Sequence, residues 1–167
     1  MNNISIQHFN TKFGELILGS HDNKLIMCDW YHRKARLSID KRLQTKLKSS
    51  YTEENNKILQ LTRHQLNEYF EHKRENFDIP LKLIGTEFQK AVWHALIKVP
   101  YGRTFSYLDI SKNISNSKAV RAVANANGAN AISIIVPCHR IIGKNGTLTG
   151  YAGGINTKNS LIKLENS

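Results

Sequence analysis

Cysteine, acidic residues and long apolar runs are scarce in this sequence, and each scarcity excludes a class of protein. Only Cys28 and Cys138 are present, with no CxxC pair, so the chain has no disulfide framework like those of small secreted domains. No apolar run approaches the roughly 20 residues of a membrane-spanning helix. The amino-terminal segment also lacks a basic region followed by an apolar core. We therefore expect a cytoplasmic protein with no membrane association.

Acidic residues are fewest in the second half of the chain. Residues 81–167 hold 11 Lys and Arg against three Asp and Glu, whereas residues 1–80 hold 13 against 10. Because a positive field attracts polyanions, this imbalance favours DNA as a partner over a small neutral metabolite. Excess lysine that only keeps the protein soluble is the alternative explanation.

The first half of the chain predicts a small antiparallel sheet covered by a helix. Alternating apolar residues indicate three short strands within residues 4–31, with a hairpin turn at Asp22 and Asn23. A helical pattern over residues 52–74 follows, with Thr52 as its cap and an acidic first turn. The face predicted to pack on the sheet consists of Ile58, Leu59, Leu66, Tyr69 and Phe70.

A break in the pattern near residue 82 predicts a domain boundary. Pro80 and Gly85 interrupt regular structure there. We expect an amino-terminal α/β domain over residues 1–82 and a carboxy-terminal domain over residues 83–167.

The second domain begins with three predicted helices. Thr86 and Gln89 form a capping box for a helix that stops at Pro100. Two short helical patterns, "SYLDISKNI" and "SKAVRAVANA", then follow one another across a tight turn. They predict a helix-turn-helix, although many helical hairpins of this kind do not bind DNA. Lys118 and Arg121, placed one turn apart on the second helix, favour DNA binding.

The segment "AISIIVPCHRII" predicts a buried strand, and Asn145 with Gly146 predicts a type I′ hairpin turn behind it. Together with the helix pair, these elements predict a winged helix. The following glycines lack the lysine and the serine or threonine of a P-loop, so we expect no nucleotide cofactor.

Cys138 and His139 are adjacent in this segment, which raises the question of a reactive thiol. A thiol is nucleophilic only as thiolate and needs a group that takes its proton. Neighbouring residues of a regular strand point to opposite faces, so contact requires an irregular backbone, for which Pro137 supplies a cause, or a bridging water. An acid that would orient the imidazole must be one of three in this half, Glu87, Asp109 or Glu165. A buried inert thiol is the alternative.

Four stretches of the sequence are "FDIPLKLIGTEFQKAVWHAL", "PYGRTFSYLDIS", "KAVRAVANANGAN" and "PCHRIIGKNGTLTGYAGG". They closely resemble the O6-alkylguanine-DNA alkyltransferases (methylated-DNA–protein-cysteine methyltransferases). The resemblance covers nearly all of residues 77–165, is most specific at Pro137 to Arg140, and is looser in the first domain. It implies an α/β fold: a small amino-terminal antiparallel sheet plus helix (RNase H-like) domain, then a mainly helical domain with a winged helix-turn-helix.

The resemblance also implies an activity. A monomer would bind alkylated double-stranded DNA in the minor groove through the helix-turn-helix and rotate the damaged nucleotide out of the stack. It would then move the alkyl group from O6-alkylguanine, and also from O4-alkylthymine, to its own cysteine. No cofactor would take part, and each molecule would act once, because nothing in the sequence could hydrolyse a thioether. Some relatives carry a zinc in the first domain, but we expect none here, because Cys28 is the only cysteine there and His8, His21 and His32 have no recognisable ligand spacing.

Residue roles follow from the same resemblance. Cys138 would accept the alkyl group, His139 would relay its proton through a water, and Glu165 would orient His139. Tyr107 would protonate the departing guanine, and Asn130 would hold the hinge before the active-site segment. Arg121 would fill the gap in the base stack; the other expected DNA contacts are Lys118, Ser106, Tyr107, Ala122 and Asn127. The pocket would be formed by Val136, Leu148, Tyr151, Ala152, Gly153 and Lys158.

Three other functions compete with this one. A lesion sensor that flips the base without repairing it would lack the acceptor cysteine, but Cys138 is intact. A winged-helix regulator would bind one undamaged sequence tightly. A cysteine hydrolase would turn over repeatedly and would need an acyl pocket.

Overall fold

The computed structural model describes residues 3–167. The chain divides into two compact units, the first ending at Ile84 and the second spanning Gly85–Ser167. This division lies two residues after the predicted boundary at residue 82. No helix within residues 3–167 has both the length and the apolar character needed to cross a membrane.

The first unit is built on an antiparallel meander. Strands β1 (Ile4–Thr11), β2 (Gly14–His21) and β3 (Lys24–Trp30) pair in sequence order. Asp22 and Asn23 both have positive φ angles, 50° and 59°, as a two-residue type I′ turn requires. The predicted hairpin is therefore confirmed.

A short fourth strand makes this sheet mixed and corrects the predicted start of the helix. Strand β4 (Tyr51–Glu53) pairs parallel to β1, so Thr52 is part of the sheet and is not a helix cap. Helix α2 (Lys57–Phe70) begins five residues later than predicted and has no acidic residue in its first turn. The side chain of Asn56 accepts a hydrogen bond from the Leu59 N–H and supplies the cap.

The core of the first unit lies between α2 and the sheet. Leu59, Leu66 and Tyr69 are completely buried, and Phe70 is nearly so, whereas Ile58 is only half-buried. Each fully buried aliphatic side chain of this kind contributes about 1.5–3 kcal/mol relative to exposure. The predicted helix face is thus largely confirmed.

Helix α1 (Arg36–Leu47) was not predicted, because its many charged residues obscure the helical spacing of its few apolar residues. Ionic contacts fix its first turn. Asp29 on β3 is fully buried, and the guanidinium groups of Arg33 and Arg36 each lie 3.1 Å from one of its oxygens. Burial raises the pKa of Asp29, and the two arginines oppose that shift.

Three helices form the core of the second unit. Helix α3 (Glu87–Ile97) starts with the predicted Thr86–Gln89 capping box and packs on α4 (Tyr107–Asn113) and α5 (Val120–Gly128). The buried indole of Trp93 donates a hydrogen bond of 2.8 Å to the Ala126 carbonyl. This bond links α3 to α5 directly.

The segment between α4 and α5 is longer than the predicted turn. Residues 114–119 separate the two helices, and Ser115 has a φ of 60°. Lys118 therefore precedes α5, while Arg121 lies within its first turn. Both side chains are exposed.

The predicted strand over residues 131–142 is wrong. Turns occupy most of residues 131–136, a 3₁₀ helix covers Cys138–Arg140, and only β6 (Ile141–Ile142) pairs, in parallel with β5 (Phe105–Ser106). The apolar run reflects burial, which strands and buried turns share.

The chain after β6 forms a loop that leads to helix α6 (Ile155–Glu165). Gly146 has a φ of 77°, but Asn145 does not have a positive φ, so the predicted type I′ turn is wrong. The Gly146 N–H instead closes a turn onto the Gly143 carbonyl at 2.9 Å. In α6 the predicted Leu161 and Leu164 are buried, and Ile162 is half-buried.

Candidate active site

The side chain of Asn130 shapes the backbone that leads to Cys138. Its Nδ2 donates to the carbonyls of Ile132 (3.2 Å) and Val136 (2.9 Å), and its Oδ1 accepts from the Ile132 N–H at 2.9 Å. One buried amide thereby ties both ends of a five-residue turn. Asn130 lies just before this turn, at the position where the resemblance implies a hinge.

Ile134, inside this turn, has a φ of 71°. That left-handed conformation is rare for a β-branched residue and costs about 1–3 kcal/mol. The side chain is 1% exposed, so burial and the Asn130 hydrogen bonds offset the strain. The turn therefore has a fixed shape, which sets where Pro137 and Cys138 follow.

Cys138 is the first residue of the 3₁₀ helix and is 3% exposed. This irregular backbone replaces the strict alternation of a strand, so Cys138 and His139 need not point to opposite faces. Lys158, on α6, is completely buried, and its ammonium interacts electrostatically with Cys138. Burial lowers the pKa of Lys158, and the charge of Cys138 opposes that shift.

His139 is also completely buried and is bound to the carboxylate at the end of α6. Its Nε2 lies 2.7 Å from Oε2 of Glu165. Since an ionised carboxylate only accepts hydrogen bonds, Nε2 carries the proton. The other ring nitrogen, Nδ1, is buried and makes no hydrogen bond to any residue from 3 to 167.

Arg140 holds the same carboxylate from a second direction. Its Nε donates to Glu165 Oε1 at 2.8 Å and its Nη2 donates to Oε2 at 3.0 Å, while Nη1 donates to the Val99 carbonyl at 2.7 Å. The Gly102 N–H adds a hydrogen bond of 3.3 Å to Oε1. Together with His139 Nε2, three of these donors, Arg140 Nε, Arg140 Nη2 and the Gly102 N–H, hold the Glu165 carboxylate in place.

The charges of this cluster follow from burial and from these contacts. Burial alone would raise the pKa of Glu165, but the hydrogen bonds and charges of His139 and Arg140 outweigh it and lower that pKa to about 2. Burial lowers the pKa of His139, and Glu165 only partly opposes the shift. At neutral pH the cluster therefore holds an anionic Glu165 and a neutral His139, whose Nδ1 can accept a proton.

Tyr107 approaches the site from the first turn of α4. Ser106 caps this helix because its hydroxyl accepts from the Asp109 N–H, and the Asp109 carboxylate in turn accepts from the Ser106 N–H at 2.8 Å. The Tyr107 hydroxyl lies 2.6 Å from Oγ1 of Thr149 in the loop before α6. The Thr149 carbonyl also accepts a hydrogen bond from Lys158 Nζ at 3.4 Å.

The remaining predicted site residues differ in exposure. Arg121 and Ala122 are exposed on α5, and Lys118 is exposed just before it. Asn127 is 6% exposed, which argues against the predicted direct contact of its side chain with DNA. Of the predicted pocket residues, the structure buries Val136 and Lys158 and leaves half-buried Leu148, Tyr151, Ala152 and Gly153.

Sequence reasoning missed two residues of this region, Arg140 and Thr149. Arg140 was seen only as part of the PCHR motif, and no local signal says that an arginine beside His139 pairs with a residue on α6. Thr149 lies in a glycine-rich stretch that gives no pattern at all. Both contacts depend on chain segments that meet only in the folded unit.

No group of three or more His, Cys, Asp or Glu side chains within the described part of the chain is arranged to hold a metal ion. The polar groups around Cys138 are a cationic arginine, a buried lysine and a histidine already bound to Glu165. This donor set suits acid–base chemistry at the sulfur.

Comparisons with known proteins match both units. Residues 6–83 match the 6-O-methylguanine DNA methyltransferase ribonuclease-like domain, and residues 87–167 match the DNA binding domain of the same family. A methylated-DNA–protein-cysteine methyltransferase of Methanosarcina acetivorans is 42% identical over 95% of this chain and 96% of its own length. An inducible one of Bacillus subtilis is 54% identical over 60% of this chain and 56% of its own.

A solved structure is similar over nearly all of the chain. The crystal structure of Mycobacterium tuberculosis OGT in complex with DNA superimposes with a TM-score of 0.82 and 38% identity, covering 96% of this chain and 92% of that one. The mixed α/β architecture, with an amino-terminal sheet and a helical carboxy-terminal part, is therefore the fold of that protein. The chain belongs to the 6-O-methylguanine DNA methyltransferase family.

Proposed function

We propose that this protein repairs DNA by transferring an alkyl group from O6 of guanine to Sγ of Cys138, once per molecule. The observation that carries the proposal is the buried cluster beside Cys138, in which Glu165 and Arg140 hold a neutral His139 with Nδ1 left to accept a proton. The family, whose relatives are named for transfer from methylated DNA to a protein cysteine, supports the same reaction.

Activation of the sulfur is the first step. The Cys138 thiol passes its proton through a bridging water to Nδ1 of His139 and becomes a thiolate. Glu165 stabilises the imidazolium that forms, because Nε2 already donates to it. The buried ammonium of Lys158 favours the thiolate by direct electrostatic attraction.

Alkyl transfer is the second step. The thiolate forms an S–C bond to the alkyl carbon while the C–O6 bond breaks, and the electron pair of that bond leaves with the guanine. Tyr107 gives a proton to the departing base and later regains one, so the proton lost by the thiol balances the proton gained by guanine. The product is a thioether that no group in the site can hydrolyse.

DNA is the partner of the second unit. Arg121, Ala122 and Lys118 are exposed on and before α5, and Ser106 and Tyr107 stand at the start of α4. We place these residues against the minor groove of double-stranded DNA, with a single protein molecule per lesion. Because Asn127 is buried, we do not place its side chain among these contacts.

Base rotation is required because O6 is enclosed in the stacked duplex. Extrusion costs a few kcal/mol, less for an alkylated and mispaired base. The exposed Arg121 fills the space left in the stack, and the half-buried loop residues Leu148 and Tyr151 to Gly153, with Val136, enclose the rotated base. O4-alkylthymine presents a comparable alkyl–oxygen bond and is the second substrate.

A mass measurement tests this proposal. The protein is incubated with duplex DNA that contains one O6-methylguanine, and its peptides are weighed. The Cys138 peptide is expected to become one methyl group heavier, with one methyl group per molecule, and Cys138→Ser is expected to remain unmodified while still binding the duplex. Cys28→Ala is the matched control and is expected to accept methyl normally. An unmethylated Cys138 peptide would leave a lesion sensor or a regulator, and repeated turnover would indicate a hydrolase.

A further inference from the structure

A short hydrogen bond joins the two sides of the proposed base pocket. The Tyr107 hydroxyl on α4 and the Thr149 hydroxyl in the loop before α6 lie 2.6 Å apart, although 42 residues separate them in sequence. We propose that Thr149 is a positioning residue for Tyr107, and that its hydroxyl directs the Tyr107 proton towards the departing base. This inference rests on the proposed function.

Two contacts fix the position of Thr149, one through its side-chain methyl group and one through its main-chain carbonyl. A Cβ atom placed on Gly143 would lie 3.4 Å from Cγ2 of Thr149, so the threonine methyl packs beside this glycine. The Thr149 carbonyl accepts the hydrogen bond from the buried Lys158. With its methyl against Gly143 and its main chain held by Lys158, the threonine presents its hydroxyl to Tyr107.

Two hydroxyl groups in contact share their protons in one of two ways, because each has a single proton to donate. If Tyr107 donates to Thr149, the phenol proton is engaged and is not available to the base. If Thr149 donates to Tyr107, the phenol proton is available to a rotated guanine. Entry of the base therefore selects the second arrangement, in which the three groups form one chain of hydrogen bonds.

This arrangement favours the reaction at the leaving group. As the phenol proton moves to guanine, negative charge grows on the Tyr107 oxygen, and the Thr149 O–H that donates to it stabilises that charge. Thr149 keeps its own proton throughout. The proton given up by Tyr107 is replaced by the one that left the Cys138 thiol, so the balance of the overall reaction is unchanged.

Two substitutions at one position separate the hydroxyl from the bulk of the side chain. Thr149→Val keeps the branched shape and removes the hydroxyl, whereas Thr149→Ser keeps the hydroxyl and removes the methyl. In single-turnover reactions with O6-methylguanine duplex, Thr149→Val is expected to slow transfer by about tenfold. This is less than the roughly 10²–10³-fold loss for a donor that touches the transition state, because Thr149 acts through Tyr107. Thr149→Ser is expected to restore most of the rate, and both variants are expected to bind the duplex like the wild type.

A double-mutant cycle tests whether Thr149 acts through Tyr107. In a Tyr107→Phe background there is no hydroxyl to direct, so Thr149→Val is expected to have no further effect. Methyl iodide supplies a second control, because iodide leaves without a proton. Its rate of methylation of Cys138, measured on the Cys138 peptide, is expected to be the same in Thr149→Val and in the wild type.

Failure of this inference differs from failure of the proposed function. If the wild type does not methylate Cys138 from the duplex, the proposed function is wrong. If the wild type does, three results overturn the role of Thr149: an unchanged rate in Thr149→Val, an equal loss in Thr149→Ser, or effects of Thr149→Val and Tyr107→Phe that simply add. Slower methylation by methyl iodide in Thr149→Val also overturns it, since the defect would then lie at the sulfur.

Discussion

His139 Nε2 and Glu165 Oε2 lie 2.7 Å apart at the end of α6, across 26 residues of sequence. Because Arg140 binds both oxygens of the same carboxylate, Glu165 is ionised and the imidazole has one orientation. Nδ1 is then the ring nitrogen left to accept the proton of Cys138 in the proposed reaction. The acid–base properties of the site are therefore set by burial and by one carboxylate.

The pH dependence of transfer will reflect the buried state of His139. Burial lowers its pKa below the ordinary 6.5, so the neutral form that accepts the thiol proton persists as the pH falls through 6.5 and is lost only at lower pH. Single-turnover rates with O6-methylguanine duplex, measured from pH 8 to about pH 5, are expected to stay level through pH 6.5 before they fall. An acid limb centred at or above pH 6.5 would contradict the assignment.

Acid will destabilise the second unit through Glu165. Its pKa is depressed from 4.5 to about 2, so its contribution is full above pH 4.5 and is lost as the pH falls towards 2. That contribution is about 3 kcal/mol at neutral pH. Urea unfolding is followed by Trp93 fluorescence in a Trp30→Phe background. The urea concentration at the midpoint of unfolding is expected to fall as the pH decreases. In Glu165→Gln this part of the pH dependence should disappear; an unchanged slope would show that other carboxylates cause it.

Arg140→Gln is expected to lower both stability and transfer rate. The substitution leaves the buried Glu165 without its bidentate partner, and breaking a buried pair costs about 3–5 kcal/mol. Arg140→Lys is the matched variant, since it keeps the charge but cannot donate to both carboxylate oxygens and to Val99 together. We expect its stability, measured by the same unfolding assay, to lie between those of Arg140→Gln and the wild type. Wild-type stability in Arg140→Gln would mean that the pair contributes nothing.

Gly85→Ala is expected to destabilise the second unit by about 1–3 kcal/mol, because an added Cβ would lie only 2.5 Å from the buried Trp93 ring. Gly128→Ala is the opposite case: nothing lies within 4 Å of its added Cβ, and Gly128 ends helix α5. Helix propensity predicts that this second variant is more stable by up to about 1 kcal/mol. Thermal unfolding of the two variants measures the difference, and equal effects would exclude this steric explanation.

Asn130→Ala is expected to cost about 3 kcal/mol, since it removes three buried hydrogen bonds of about 1 kcal/mol each. It should also slow transfer, because the strained turn at Ile134 would relax and move Cys138. Asn130→Asp keeps the acceptor for the Ile132 N–H but, when ionised, places a carboxylate oxygen against the Ile132 and Val136 carbonyls, so it is expected to cost at least as much as Asn130→Ala. Normal transfer by a folded Asn130→Ala protein would show that the turn does not position the sulfur.

Local signals in the sequence predicted the elements that depend on neighbouring residues. The Asp22–Asn23 hairpin and the Thr86–Gln89 capping box are confirmed, because a turn and a cap are decided within four residues. The helix start at Thr52 and the strand through Cys138 were wrong. Thr52 pairs with the distant strand β1. The active-site turn is held by the Asn130 side chain, which lies only two to six residues from its partners but makes side-chain to backbone hydrogen bonds that a strand pattern does not record.

The sequence by itself determined the motif around Cys138, the excess of positive charge in the second half, and the family resemblance, since these are properties of residue types and their order. The resemblance also assigned Glu165 to His139, which residue types and spacing had left open among three acids. Only the tertiary structure decided that Arg140 shares this carboxylate and that Thr149 meets Tyr107. The physical reason is that such partners come from segments far apart in the chain. Their distances are fixed by how α6, the 3₁₀ helix and α4 pack, and no local pattern records that packing.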